Sequence, residues 1–140
     1  GSVVSDSRGQ STGSATGLSA ETAQNSYGTS SSGIGLSATT AQNCYGSSNG
    51  SGTGLSANYT ALNCFGASSS GKGLEAVTIA QNCYGYSGGS GFGLYAHNIA
   101  IGCYGQSYSG IGLAAYIANS CRGNSTTGTG QSITYKYNMP

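Results

Sequence analysis

"GLSATTAQNCYGSSNGSGT" (residues 35–53) is followed at once by "GLSANYTALNCFGASSSGK" (54–72). Read one above the other, the lines share Gly-Leu-Ser-Ala, then Asn-Cys-aromatic-Gly, then a Ser/Gly tail. The pair Gly-Leu recurs at 17–18, 35–36, 54–55, 73–74, 93–94 and 112–113, with steps of 18, 19, 19, 20 and 19 residues. Self-similarity at such a period is the mark of a repeat architecture. The period also excludes a flexible linker, which has no reason to hold Leu, Ala, Cys and Tyr at fixed intervals.

Each unit has columns. Two after Leu stands Ala20, Ala38, Ala57, Ala76, Ala96 and Ala115. An Asn slot holds Asn25, Asn43, Asn63 and Asn82, then Gly102 and Ser120. A Cys slot holds Cys44, Cys64, Cys83, Cys103 and Cys121, with Ser7 and Ser26 below them. The aromatic slot holds Tyr27, Tyr45, Phe65, Tyr84 and Tyr104, closed by Arg8 and Arg122. Both ends carry degenerate copies, "SDSRGQS" (5–11) and "GQSITYKYN" (130–138), as capping repeats do.

Gly every few residues argues against a helix, where each costs about 1 kcal/mol. Leu-x-Ala alternates with period two, so Leu and Ala share one face of a strand. At about 3.3 Å per residue, 19 residues make a closed loop of roughly 60 Å, one rung of a solenoid. The chain is therefore predicted to be all-β, a parallel β-solenoid of about seven rungs. Residues 3–140 form one domain: a partial rung over 3–16, regular rungs over 17–130 and a C-terminal cap over 131–140. Gly1-Ser2 has the form of a cloning scar, so upstream domains of the same chain are expected.

The units resemble the right-handed parallel β-helix of the pectate-lyase-like superfamily, in which Asn ladders and Cys or aliphatic stacks are common. The closing "ITYKYNMP" (133–140) resembles the ending of large secreted bacterial β-helix proteins. The resemblance implies a right-handed coil and a secreted or cell-surface location.

The ladders have structural readings. Each Asn amide is expected to bond the Asn above and below it. The Cys column admits three readings: small buried fillers, a disulfide between rungs, or metal ligands. The first is favoured. Parallel side chains stay about 4.8 Å apart, wider than a disulfide prefers. A straight column lacks the tetrahedral convergence of structural zinc sites, so no metal and no cofactor is expected. The aromatic column follows Cys and should point outward, as a stacking ladder or a platform for sugar rings. Arg8 and Arg122 are expected to cap it by cation–π contact.

Chemistry is sparse. Charged residues are 5% of the chain and the net charge is +1, so no basic stripe for nucleic acid exists. No apolar run reaches a membrane span of roughly 18–20 residues. Of the three acids, Glu21 and Glu75 stand three rungs apart, roughly 14 Å, beyond the separation of glycosidase carboxylates. His97 is read as having no carboxylate beside it, since Glu75 is one rung below and two residues offset. No catalysis is expected.

One strip breaks the repeat. The positions one and three after Leu should face solvent. They are mostly Ser and Thr early, apart from Glu21 and Asn58, but later carry Glu75, Tyr95, His97 and Tyr116. These four are the candidate binding surface, with a polysaccharide or another protein as partner. The expected function is a non-catalytic structural or adhesion module; the alternative is a carbohydrate-binding surface, or an accessory part of a polysaccharide lyase or hydrolase whose active site lies elsewhere.

Overall fold

The computed structural model describes residues 1–140. It contains strands and no helix. All strand pairs are parallel and form two sheets, one of nine strands and one of seven. The larger sheet stacks the Leu-x-Ala segments, from Val3–Ser5 and Leu18–Gln24 up to Ile111–Asn119 and Thr129–Tyr137. The smaller stacks the four-residue segments Arg8–Ser11, Tyr27–Ser30, Tyr45–Ser48, Phe65–Ser68, Tyr84–Ser87, Tyr104–Ser107 and Arg122–Ser125. The chain is thus a β-solenoid of about seven turns, as its period predicts.

The columns are in register. Leu36 pairs with Leu55, Ala38 with Ala57 and Ala41 with Ala61. On the other sheet Tyr45 pairs with Phe65, and Ser48 with Ser68. A slip of one residue would turn every Leu and Ala outward, so core burial holds the register. Leu36, Leu55, Leu74, Leu94 and Leu113 are completely buried, and the Ala and Cys columns join them in one continuous cluster. Burying one such Leu contributes about 2–3 kcal/mol.

At the edge of the core the two sheets meet backbone to backbone. A Cβ on Gly46 would lie 2.3 Å from the Gly54 carbonyl oxygen. A Cβ on Gly85 would lie 2.1 Å from that of Gly93. The paired Gly columns are therefore what lets the rung close so narrowly.

The variation in rung length falls at two places. The Leu-to-Asn-slot interval is seven residues from Leu18, Leu36 and Leu113, and eight from Leu55 to Asn63, Leu74 to Asn82 and Leu94 to Gly102. The extra residue enters as a register shift between Ala38 and Thr40, and leaves between Ala96 and Ile99. The second place is the loop after the buried Ser column. Ser30, Ser68 and Ser107 precede the next Leu by six residues, Ser48 and Ser87 by seven. In the shorter loops the hydroxyl closes the turn. Ser68 Oγ donates to Gly52 O at 2.7 Å and accepts from Gly71 N at 2.9 Å. Ser30 and Ser107 repeat that pattern. In the longer loops Ser48 and Ser87 are buried with no hydrogen-bond partner. The interior loops thus alternate, and neighbouring rungs work as unlike pairs.

The opposite corner is a left-handed residue in every turn. Asp6, Asn25, Asn43, Asn63, Asn82, Ser120 and Asn138 have φ between 48° and 54°, and Gly102 has 59°. Asn and Asp tolerate this region best after Gly, which is why the slot is mostly Asn. The expected Asn ladder is only partly formed. Asn43 Nδ2 donates to Asn25 Oδ1 at 3.2 Å, and Asn63 Nδ2 to Asn43 Oδ1 at 3.2 Å. Asn82 is not joined to them by a side-chain hydrogen bond, so backbone conformation rather than amide stacking is what the whole column shares.

All five Cys are free, buried thiols. Each donates to the carbonyl two residues before it, as in Cys44 Sγ to Gln42 O at 3.2 Å and Cys64 Sγ to Leu62 O at 3.1 Å. Ser26 makes the same bond to Gln24 O at 2.6 Å. The slot requires a small side chain with one donor, so Ser and Cys exchange there. The neighbouring thiols, and then burial, push Cys44, Cys83 and Cys121 above the usual thiol value.

Candidate binding surface

The strip that breaks the repeat lies on the outer face of the larger sheet. Register places Ser56 beside Glu75, Glu75 beside Tyr95, Tyr95 beside Ala114 and Ala114 beside Ser132. The four residues singled out from the sequence fall on adjacent rungs. Their surroundings differ from the expected solvent-facing strip. Glu75 and Tyr95 are half-buried, and Ala114 is buried. The cover comes from a column not singled out by the outward alternation, the residue before Gly-Leu. That column holds Lys72, Phe92 and Ile111 on the three rungs concerned.

His97 does have a carboxylate partner, contrary to the offset argument. Its Nε2 lies 2.7 Å from Glu75 Oε1. Glu75 is directly beside Tyr95, and the His97 ring stacks back over Tyr95 at a centroid distance of 4.2 Å. That lean closes the two-residue offset. Lys72 Nζ donates to the same Glu75 oxygen at 2.6 Å and sits 5.3 Å from the Tyr95 ring centre. Burial opposes the charge on Glu75, but the hydrogen bonds from Lys72 and His97 outweigh it and hold the carboxyl below its ordinary value.

Beside this polar chain the rings form a wall. Phe92 stacks on Tyr95 at 4.9 Å, and Tyr95 on His97. Tyr116 meets Tyr135 edge-on at 5.2 Å and 84°. Between the two groups lies an open pocket of about 360 Å³. Ala114 is part of its lining, where the previous rung has Tyr95, and Ser132 and Thr134 add hydroxyls. The pocket opens where Tyr95 gives way to the small Ala114 and Ser132 along the column.

The aromatic ladder is a different surface. Its rings stack along the axis at 4.7, 5.0, 4.9 and 5.1 Å from Tyr27 to Tyr104. Three of the four pairs are face to face and Phe65–Tyr84 is tilted by 44°, so most ring faces are occupied by one another and a ligand would meet mainly ring edges. Arg8 caps the lower end, 5.1 Å from the Tyr27 ring centre. Arg122 pairs in register with Tyr104 but makes no such cation–π contact. Between the ladder and the Asn corner runs a shallow groove of about 660 Å³ in which Cys44, Cys64 and Cys83 are part of the wall.

In comparisons with known proteins, no family model matches the chain, and no curated protein and no solved structure shows significant similarity to it.

Proposed function

We propose that this chain is a non-catalytic adhesion module of a secreted or cell-surface protein, a pectate-lyase-like β-helix rod that presents one glycan-binding patch on its later rungs. The observation that carries this reading is convergence. Lys72, Glu75, Phe92, Tyr95, His97 and Tyr116 all depart from the repeat; Phe92, Tyr95, His97 and Tyr116 line one pocket, and Glu75 ties Lys72 to His97 behind it. The repeat elsewhere builds a wall from Ser, Thr, Ala and Gly; nothing in stacking a rung requires this set.

The pocket chemistry suits a sugar. Ligand pockets start at about 300 Å³ and combine apolar walls with a few polar groups. The edge-on Tyr116–Tyr135 pair leaves ring surface for the apolar face of a pyranose, and Ser132 and Thr134 offer hydroxyl partners. Glu75 is already engaged by Lys72 and His97 through one oxygen, which suits an anchor for the wall better than a proton shuttle.

Glycan-array binding with wild type and Tyr116→Ala tests this. Wild type should retain a set of glycans that the variant releases. No glycan retained by wild type would leave the rod without its proposed ligand and defeat the adhesion reading.

A further inference from the structure

The smaller sheet carries a repeat-breaking residue of its own. The third position of its strands reads Gln10, Thr29, Ser47, Ala67, Tyr86, Gln106 and Asn124, one above the other in register. Tyr86 is the single ring in that column, and it is exposed. A Cβ on its neighbour Gly85 would lie 2.9 Å from Leu94 Cα, so Gly85 and Leu94 face each other across the core. Strand residues alternate between faces. Tyr86 and Tyr95, each next in sequence to one of that inward pair, therefore point away from each other. Tyr86 and the patch around Tyr95 lie on opposite sides of the rod.

Below Tyr86 the column steps down to Ala67 and Ser47, and a pocket of about 300 Å³ opens on the step. The step mirrors the one from Tyr95 to Ala114 and Ser132 on the larger sheet. Gln106, next above Tyr86, is held aside by Tyr84, whose hydroxyl donates to its Oε1 at 3.1 Å. Gly88 is part of the lining, and a Cβ there would come 3.7 Å from the Tyr86 hydroxyl oxygen. Glycine keeps that hydroxyl clear. The buried Ser68 hydroxyl is spent on closing its loop. The side chains of Ser47, Asn49 and Ser69 make no hydrogen bond within the chain, so they offer two hydroxyls and an amide to a ligand.

We propose that this pocket is a second sugar subsite, which takes a neutral pyranose against Tyr86 while the patch on the other face holds its own ligand. Like the patch, the subsite presupposes a rod that binds glycans. The exposed ring supplies a surface for the apolar face of a pyranose. Amide and hydroxyl groups both donate and accept, as sugar hydroxyls require. No charged residue lines the pocket, so the carboxylate of an acidic sugar would find no partner there. One ring stands here where the patch has several, so the subsite should bind about tenfold more weakly. Retention on a glycan surface therefore depends on the patch, and the subsite adds a hold on a second polysaccharide chain at the rod's opposite face.

The test is an NMR titration of isotopically labelled wild type, Tyr86→Ala and Tyr116→Ala with cellotetraose, xylotetraose and mannotetraose, read from the backbone amide shifts. Ala is what the column already carries at Ala67, so Tyr86→Ala should keep the fold. Wild type should show two sets of shifts with separate midpoints. One covers Ala114–Tyr116 and Ser132–Thr134; the other covers Ser47–Asn49, Ala67–Ser69 and Tyr86–Gly88. Tyr86→Ala should lose the second set alone, and Tyr116→Ala the first alone. Shifts confined to the first set would overturn the subsite and leave the patch standing. Shifts in the second set alone would uphold the subsite and remove the patch. Shifts in neither set, with all three sugars, would overturn both. Survival of the second set in Tyr86→Ala would overturn its assignment to this ring.

Discussion

Replacing Ser68 and Ser87 by Ala, one at a time, should give opposite results although the two residues share a column. Ser68 donates to Gly52 O and accepts from Gly71 N. Its truncation removes both bonds and leaves the half-buried Gly71 N–H without that partner, at a cost of about 1–3 kcal/mol. Ser87 is fully buried and its hydroxyl has no partner. Its truncation removes an uncompensated polar group, so stability should stay level or rise by up to about 1 kcal/mol. The expected gap between the variants is therefore about 1–4 kcal/mol. Urea unfolding followed by far-UV circular dichroism reads it as a shift in midpoint at constant slope. Equal destabilisation by both would refute the reasoning, because it would mean that the Ser87 hydroxyl is as well partnered as that of Ser68.

Gly85→Ala should prevent the rung from closing, since the new Cβ would meet the Gly93 carbonyl oxygen at 2.1 Å; a cost of about 3 kcal/mol or more is expected, visible as a large fall in Tm. Native protein without reductant should react slowly with Ellman's reagent and release five equivalents when denatured; fewer than five would reveal a disulfide. Glu75 has its pKa lowered by folding, so its pairs with Lys72 and His97 add stability at neutral pH that is lost as the pH falls below about 4.5 through the folded value. Glu75→Gln should flatten that part of an acid stability profile; an unchanged profile would show that the pairs contribute nothing there.

Much of the fold was legible because one rung explains the next. The identity of Leu, Ala, Cys and Gly at each slot fixed the register, and parallel stacking then followed. The patch was legible only as a list of odd residues. Slot positions say which rung a residue occupies, but not where its side chain leans. His97 reaches Glu75 because its ring folds back over Tyr95, and that depends on rotamers. Lys72 was hidden in a Gly-rich loop, although its column also holds Phe92 and Ile111 and signals the same face. The alternation of the Ser loops was present as six- and seven-residue intervals, but their meaning needed the hydrogen bonds. The Asn column shows the reverse case. Its repetition suggests an amide ladder, whereas the shared property is a left-handed backbone that Gly102 and Ser120 also adopt.

Function is placed here in the residues that break the repeat rather than in those that make it. The most direct measurement compares Tyr95→Ala, in the patch, with Tyr45→Ala, in the aromatic ladder, for affinity toward a glycan retained by wild type, with folding of both checked by circular dichroism. The result expected is loss of binding in Tyr95→Ala and retention in Tyr45→Ala. Retention in Tyr95→Ala with loss in a folded Tyr45→Ala would move the binding site to the ladder and contradict the assignment.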